Sequence, residues 1–163
     1  MTEVGGNWAR PLAVSVAGFT LVALVGGLAT EIGPWYRALQ KPPFQPPDWL
    51  FGPAWTVIFA LTAIAAADCW RHALSASDRQ RVVVAFVANG LLNVLWSVLF
   101  FKLRRPDWAL AEVALLWLSI VWLIVVARPL SARAMALLVP YLAWVSFASI
   151  LNYAVVHLNG PFS

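Results

Sequence analysis

Five long apolar runs, separated by mostly short polar connections, account for most of the chain. They cover approximately residues 12–29, 51–70, 82–101, 108–126 and 134–157. An α-helix needs roughly 20 apolar residues to cross the ~30 Å hydrocarbon core of a bilayer, and each run approaches or exceeds that length. The pattern predicts an all-α, multi-pass integral membrane protein, a single bundle of five transmembrane helices over residues 1–163. A short polar start, residues 1–9, and Arg10-Pro11 precede the first run. Its length and thin positive flank fit an uncleaved span better than a signal peptide.

The connection between the first two runs, residues 31–50, breaks the pattern. From Pro34 to Trp55 the chain reads PWYRALQKPPFQPPDWLFGPAW, holding six of its 11 prolines and the aromatics Trp35, Tyr36, Phe44, Trp49, Phe51 and Trp55. Proline fixes φ and lacks an amide donor, so Pro42-Pro43 and Pro46-Pro47 predict a stiff, largely extended segment with short turns. Pro53 suits the first turn of the second helix. The segment is too aromatic for an ordinary solvated loop. It fits either a lid folded back over the helix ends or an aromatic belt at headgroup depth.

A few polar residues interrupt the apolar runs. Asn89 and Asn93 lie one turn apart on one helical face, near Trp96. An amide in hydrocarbon is costly unless hydrogen-bonded, so both should point into the bundle, as helix–helix glue or as ligand contacts. Glu112, one turn into the fourth run, is within reach of the interface. Asp68 and Arg71 read as an i,i+3 surface ion pair, and Pro140 predicts a kink or an answered carbonyl in the fifth helix. Gly18, Gly26 and Gly27 allow close approach along the first helix.

Composition narrows the function classes. Hydrophobic residues make up 62% and charged residues 11%, against about 25% charged in soluble domains; mean hydropathy is +0.79. The net charge of +4 is spread through the connections. Lipid headgroups account for it, and nucleic acid is not an expected partner. Basic residues divide six to five between the two ends, so they set no orientation. Cys69 is the single cysteine, and the two histidines, His72 and His157, begin no ligand motif, so neither a disulfide nor a metal is expected. No carboxylate pair or nucleophile–base constellation for conventional catalysis is evident. The chain lacks the inverted repeat common in secondary transporters.

The Pro34–Trp55 stretch, NVLWSVLFF (Asn93–Phe101) and VPYLAWVSFASILNY (Val139–Tyr153) together resemble the tryptophan-rich sensory protein and translocator protein (TspO/MBR) family, also known for peripheral-type benzodiazepine receptors. The resemblance implies a five-helix bundle, often dimeric, with the first connection folded over a cavity. It implies binding of porphyrins and haem, of cholesterol in some members, and of isoquinoline and benzodiazepine-type drugs. Carried onto this sequence, the cavity is lined by Phe51 and Trp55 of the second span and Asn93 and Trp96 of the third. Trp108, Ala111 and Leu115 of the fourth and Trp144, Ala148 and Leu151 of the fifth complete it. Trp35, Tyr36, Pro42, Pro43 and Phe44 form the lid.

The function so implied is a receptor or carrier for porphyrins in tetrapyrrole sensing, transport or regulation, with porphyrin or haem as ligand and no required cofactor. An alternative is light- and oxygen-dependent porphyrin degradation, for which the matching residues are Trp55 and Trp144. Sterol binding or passive transport is a further alternative. Indole rings suit a flat π-surface, and Arg37 and Lys41 could meet either porphyrin propionates or lipid headgroups. Two departures stand out. The sterol-recognition pattern on the fifth helix normally ends in Lys or Arg, but here Tyr153 is followed by His157. Where some members dimerise through small residues on the third helix, this chain has Val84 and Ala88, which should weaken a homodimer there.

Overall fold

In the computed structural model, which describes residues 8–162, six helices run in order. All but Trp8 and Ala9 of the polar start lies outside the described residues. The helices are α1 (Ala9–Ala29), α2 (Pro34–Ala38), α3 (Asp48–His72), α4 (Ala76–Ser97), α5 (Pro106–Ala127) and α6 (Ala132–Asn159), with α4 continuing through a π-helical turn, Val98–Lys102. Counting that turn with α4, the five long helices have 21 to 28 residues and are apolar enough to cross a membrane. At 1.5 Å per residue they are about 32 to 42 Å long.

Local chemistry sets the helix starts a few residues beyond the apolar runs. Ser75 and Ser131 cap α4 and α6, accepting from the backbone N–H groups of Asp78 and Ala134. Pro106 opens α5 in the first turn, where its missing amide costs nothing. α3 begins at Asp48 rather than near Phe51. Extended Pro47 ends the loop, and the Asp48 carboxylate suits the positive helix N-terminus. Pro53 therefore sits in the second turn, not the first, and denies the Trp49 carbonyl its intrahelical bond. The connection expected to be largely extended contains the one-turn helix α2, started by Pro34.

The long helices form a closed ring in the order α1, α3, α6, α5, α4. Far from the lid, small residues (Ala63, Ala65, Ala66, Ala85, Ala127 and Ala134) let the helices close tightly around Phe19, Phe86, Leu123 and Leu138. Asp68, expected on the surface with Arg71, is buried there instead. It accepts from the Ser131 hydroxyl and lies 3.8 Å from His72 Nδ1, while Arg71 stacks over Trp8.

Mid-membrane, one hydrogen-bonded chain crosses the bundle. The Asn93 amide donates to Tyr141 Oη (3.2 Å), which donates to Asn89 Oδ1 (3.2 Å). Asn89 donates to Ser119 Oγ (2.8 Å), which donates to the Leu116 carbonyl (2.6 Å). Asn89 thus ties α4 to both α5 and α6, and Asn93 ties it to α6. Glu112 is also buried, at 5% exposure, rather than reaching the interface, and neither carboxyl oxygen has a hydrogen-bond partner among the described residues.

Candidate functional site

Toward the lid the ring opens around a cavity of about 420 Å³, within the range of ~300–1,000 Å³ that holds small-molecule ligands. Asn93, bonded to Tyr141, is part of its lining. Its walls are aromatic. Trp55 and Trp144 meet edge to face, with ring centroids 6.4 Å apart and planes at 85°. Phe51 packs against Trp144 at 5.8 Å and Phe59 stacks on Trp55 at 5.2 Å. Opposite them, Trp96 stacks on Phe100 at 5.0 Å, and Phe101 lies beside both.

The π-helical turn positions that second group. A π turn holds more residues than an α turn, so the neighbouring residues Phe100 and Phe101 both come to line the cavity, with Trp96 and Ser97 one turn earlier. Trp96 is fixed from behind. Its indole N–H donates to Asn152 Oδ1 (3.1 Å), whose amide donates to the Pro106 carbonyl (2.9 Å). Trp144, in contrast, has a buried indole N–H with no hydrogen-bond partner among the described residues.

Residues 34–48 cover the cavity. Tyr36 Oη donates to Asp48 (3.0 Å), Gln45 donates to both, and Lys41 Nζ lies 3.3 Å from the same carboxylate and 4.0 Å from the centre of the Tyr36 ring. Burial, and then the Asp48 charge beside it, push the Tyr36 phenol up to about 12, so it stays a neutral donor at physiological pH. The cover is tied to the bundle at three points. Asn159 accepts from the Gln40 amide (2.8 Å) and donates to the Gln40 carbonyl (2.9 Å). Glu31 pairs with Lys102, which lowers the Glu31 pKa, and Trp35 sits edge-on to Phe100.

Comparison with known proteins agrees with this architecture. The model of the TspO/MBR family matches residues 13–158. The chain belongs to that family. It is 40% identical over 125 residues to the tryptophan-rich protein TspO of Chlorobaculum tepidum, covering 77% of this chain and 79% of that one. The TspO of Archaeoglobus fulgidus is 37% identical over 150 residues, with 91% and 96% covered. The human translocator protein is 34% identical over 127 residues, with 74% and 72% covered. The TspO/MBR fold and its five apolar helices make the chain a multi-pass integral membrane protein.

Within this TspO/MBR bundle the sequence-derived site residues divide into three groups. Phe51, Trp55, Asn93, Trp96, Trp144, Ala148 and Leu151 line the cavity, with Tyr36 and Lys41 of the cover. Trp35, Pro42, Pro43, Phe44 and Arg37 belong to the cover but do not line the space. Trp35 packs on Phe100, Pro42 is buried, and Pro43, Phe44 and Arg37 face outward. Trp108, Ala111 and Leu115 are corrected: they lie on the outer face of α5, with Trp108 52% and Leu115 56% exposed. The inward face carries Ala109, Glu112, Val113 and Leu116, and only Val113 and Leu116 reach the cavity. The sequence reading also missed the whole α1 wall, Val22, Ala23, Gly26 and Gly27, and the Phe100-Phe101 pair. The paired aromatics and paired glycines were the available signals.

Proposed function

We propose that this protein is a membrane receptor or carrier that binds porphyrins, such as protoporphyrin or haem, in the covered cavity. The observation that carries the reading is the cavity's chemistry: two aromatic groups, around Trp55–Trp144 and around Trp96–Phe100, wall an apolar space inside the bilayer region. Aromatic faces and edges give a flat π-ligand offset-stacked and edge-on contacts, each about 0.5–1.5 kcal/mol beyond the area they bury. Lys41, which lines the cavity while paired with Asp48, offers a cation that a ligand carboxylate could share. Titration of the purified protein in nanodiscs with protoporphyrin tests this. Saturable one-to-one quenching of tryptophan fluorescence with a shifted porphyrin band is expected; quenching that rises linearly without saturation would refute it.

A second reading is favoured by the perpendicular contact of Trp55 and Trp144, both oxidisable and both on the cavity wall. A bound porphyrin, excited by light, would take an electron from a stacked indole and pass it to oxygen; the indole radical would recover its electron from the porphyrin, and the oxidised ring would be degraded by oxygen. Trp55→Phe and Trp144→Phe keep an aromatic ring that is much harder to oxidise. Under illumination, wild type should bleach the porphyrin band and the variants should not. Equal stability of the band in all three would leave binding alone.

A further inference from the structure

α1 packs extensively on α3, but in its lid-side half the bundle wall differs on its two sides. Toward α4 the backbones approach closely: a Cβ added at Gly90 would lie 3.0 Å from the Val22 side chain, and one at Gly26 would lie 3.7 Å from Ser97 Oγ. Toward α3 the helices pack at mid-span, where Phe19 stacks on Phe59 with centroids 6.1 Å apart. Nearer the lid the two helices offer each other glycine. Gly27 of α1 and Gly52 of α3 both line the cavity, and both are exposed on the outside of the bundle. A Cβ at either would meet no atom within 4 Å. Ala23 and Thr56 share this double character. Residues that are at once cavity wall and outer surface mark a mouth. This one lies within the apolar spans, beside the exposed Leu24, Leu28 and Val57.

The two threonine hydroxyls beside it are already committed. Thr30 donates its hydroxyl to the Gly26 carbonyl (2.8 Å), and Thr56 donates to the Gly52 carbonyl (2.9 Å). Each hydroxyl is thus committed to its own chain segment, Thr56 at the α3 edge of the mouth and Thr30 in the cavity lining just beyond α1. An apolar molecule passing through strips no water from a free donor. The lid end is the opposite case, held by the two-way Gln40–Asn159 hydrogen bonds, the Asp48 cluster and the Glu31–Lys102 pair.

We propose that the slot between Gly27 and Gly52 is the cavity's entrance, through which flat apolar molecules dissolved in the lid-side leaflet pass sideways while the lid stays shut. The inference uses the cavity of the preceding reading but not its ligand. It can therefore stand or fall apart from porphyrin binding.

A thiol placed inside the cavity by Ala148→Cys reports on access. The protein is reconstituted in liposomes, and reaction with the lipid-soluble, flat reagent pyrene maleimide is followed. The native Cys69 is fully buried, so the parent chain provides the background. Plugging the slot with Gly27→Phe and Gly52→Phe should slow labelling at least tenfold. Gly18→Phe, on α1 but outside the cavity lining, and Asn159→Ala, which frees the lid, should leave the rate within twofold. If the double variant fails to insert, Gly52→Phe alone carries the test. Labelling unchanged by the plugs, or accelerated tenfold by Asn159→Ala, would overturn the proposal and assign entry to the lid.

Discussion

Tyr141→Phe removes one oxygen from the middle of the bundle and should cost more than its size implies. Tyr141 is 1% exposed, and its hydroxyl bridges the side chains of Asn93, on the cavity lining, and Asn89, one turn away on α4. Without it, an Asn93 N–H and the Asn89 oxygen, both on buried residues, each lose a partner. Orphaned buried groups cost about 1–3 kcal/mol each in soluble proteins. Hydrogen bonds between membrane helices average nearer ~0.6 kcal/mol, because the separated helices also find partners. Both bonds here are long, at 3.2 Å, so a total of about 1–3 kcal/mol is expected. Asn93→Leu should cost a similar amount alone. Added to Tyr141→Phe it should cost much less, since the donor that the first change orphaned is gone. Reversible unfolding in mixed micelles reads all three variants. A Tyr141→Phe loss below about 0.5 kcal/mol, or strict additivity with Asn93→Leu, would refute the idea that this chain is a structural unit.

Other consequences follow from the same geometry. Glu112→Leu should leave stability unchanged or raise it by about 1–3 kcal/mol, because the carboxyl is buried without a hydrogen-bond partner among the described residues; a loss above ~1 kcal/mol in the same unfolding assay would show that it has one. Asn159→Ala should speed tryptic cleavage after the exposed Arg37 severalfold by untying the Gln40 backbone, and equal rates would mean that the lid is held elsewhere. Trp108→Ala, on the outer face of α5, should change porphyrin affinity less than twofold. Trp96→Ala should weaken it at least tenfold, and the reverse order would put the α5 outer face back into the site.

The membrane spans were legible because the bilayer demands about 20 apolar residues in a row, and nothing else in the chain competes with that signal. Asn89 and Asn93 were legible as inward-pointing for the same reason: an amide has nowhere else to go. Rotation of the helices was not legible. α5 is apolar almost all round, so no polar stripe separates lipid-facing positions from bundle-facing ones. A resemblance could therefore assign Trp108, Ala111 and Leu115 to the cavity although Val113 and Leu116 hold that place. The α1 wall escaped notice because it contributes mainly small residues, whose role depends on what lies opposite. Asp68 was paired with its sequence neighbour Arg71, whereas its partner Ser131 lies 63 positions away.

The central claim is that a flat porphyrin occupies the space between Trp55–Trp144 and Trp96–Phe100. Ala148 lines that space on α6, and Ala148→Leu fills part of it with three added carbons. Overpacking of this kind costs about 1–3 kcal/mol, or roughly 5- to 150-fold in affinity. Protoporphyrin titrations of wild type and Ala148→Leu, in the same nanodiscs and with unchanged far-ultraviolet circular dichroism, measure that ratio directly. The account predicts saturable binding to wild type, weakened at least fivefold by the leucine. Equal affinity in the two proteins would place the porphyrin outside the cavity and contradict it.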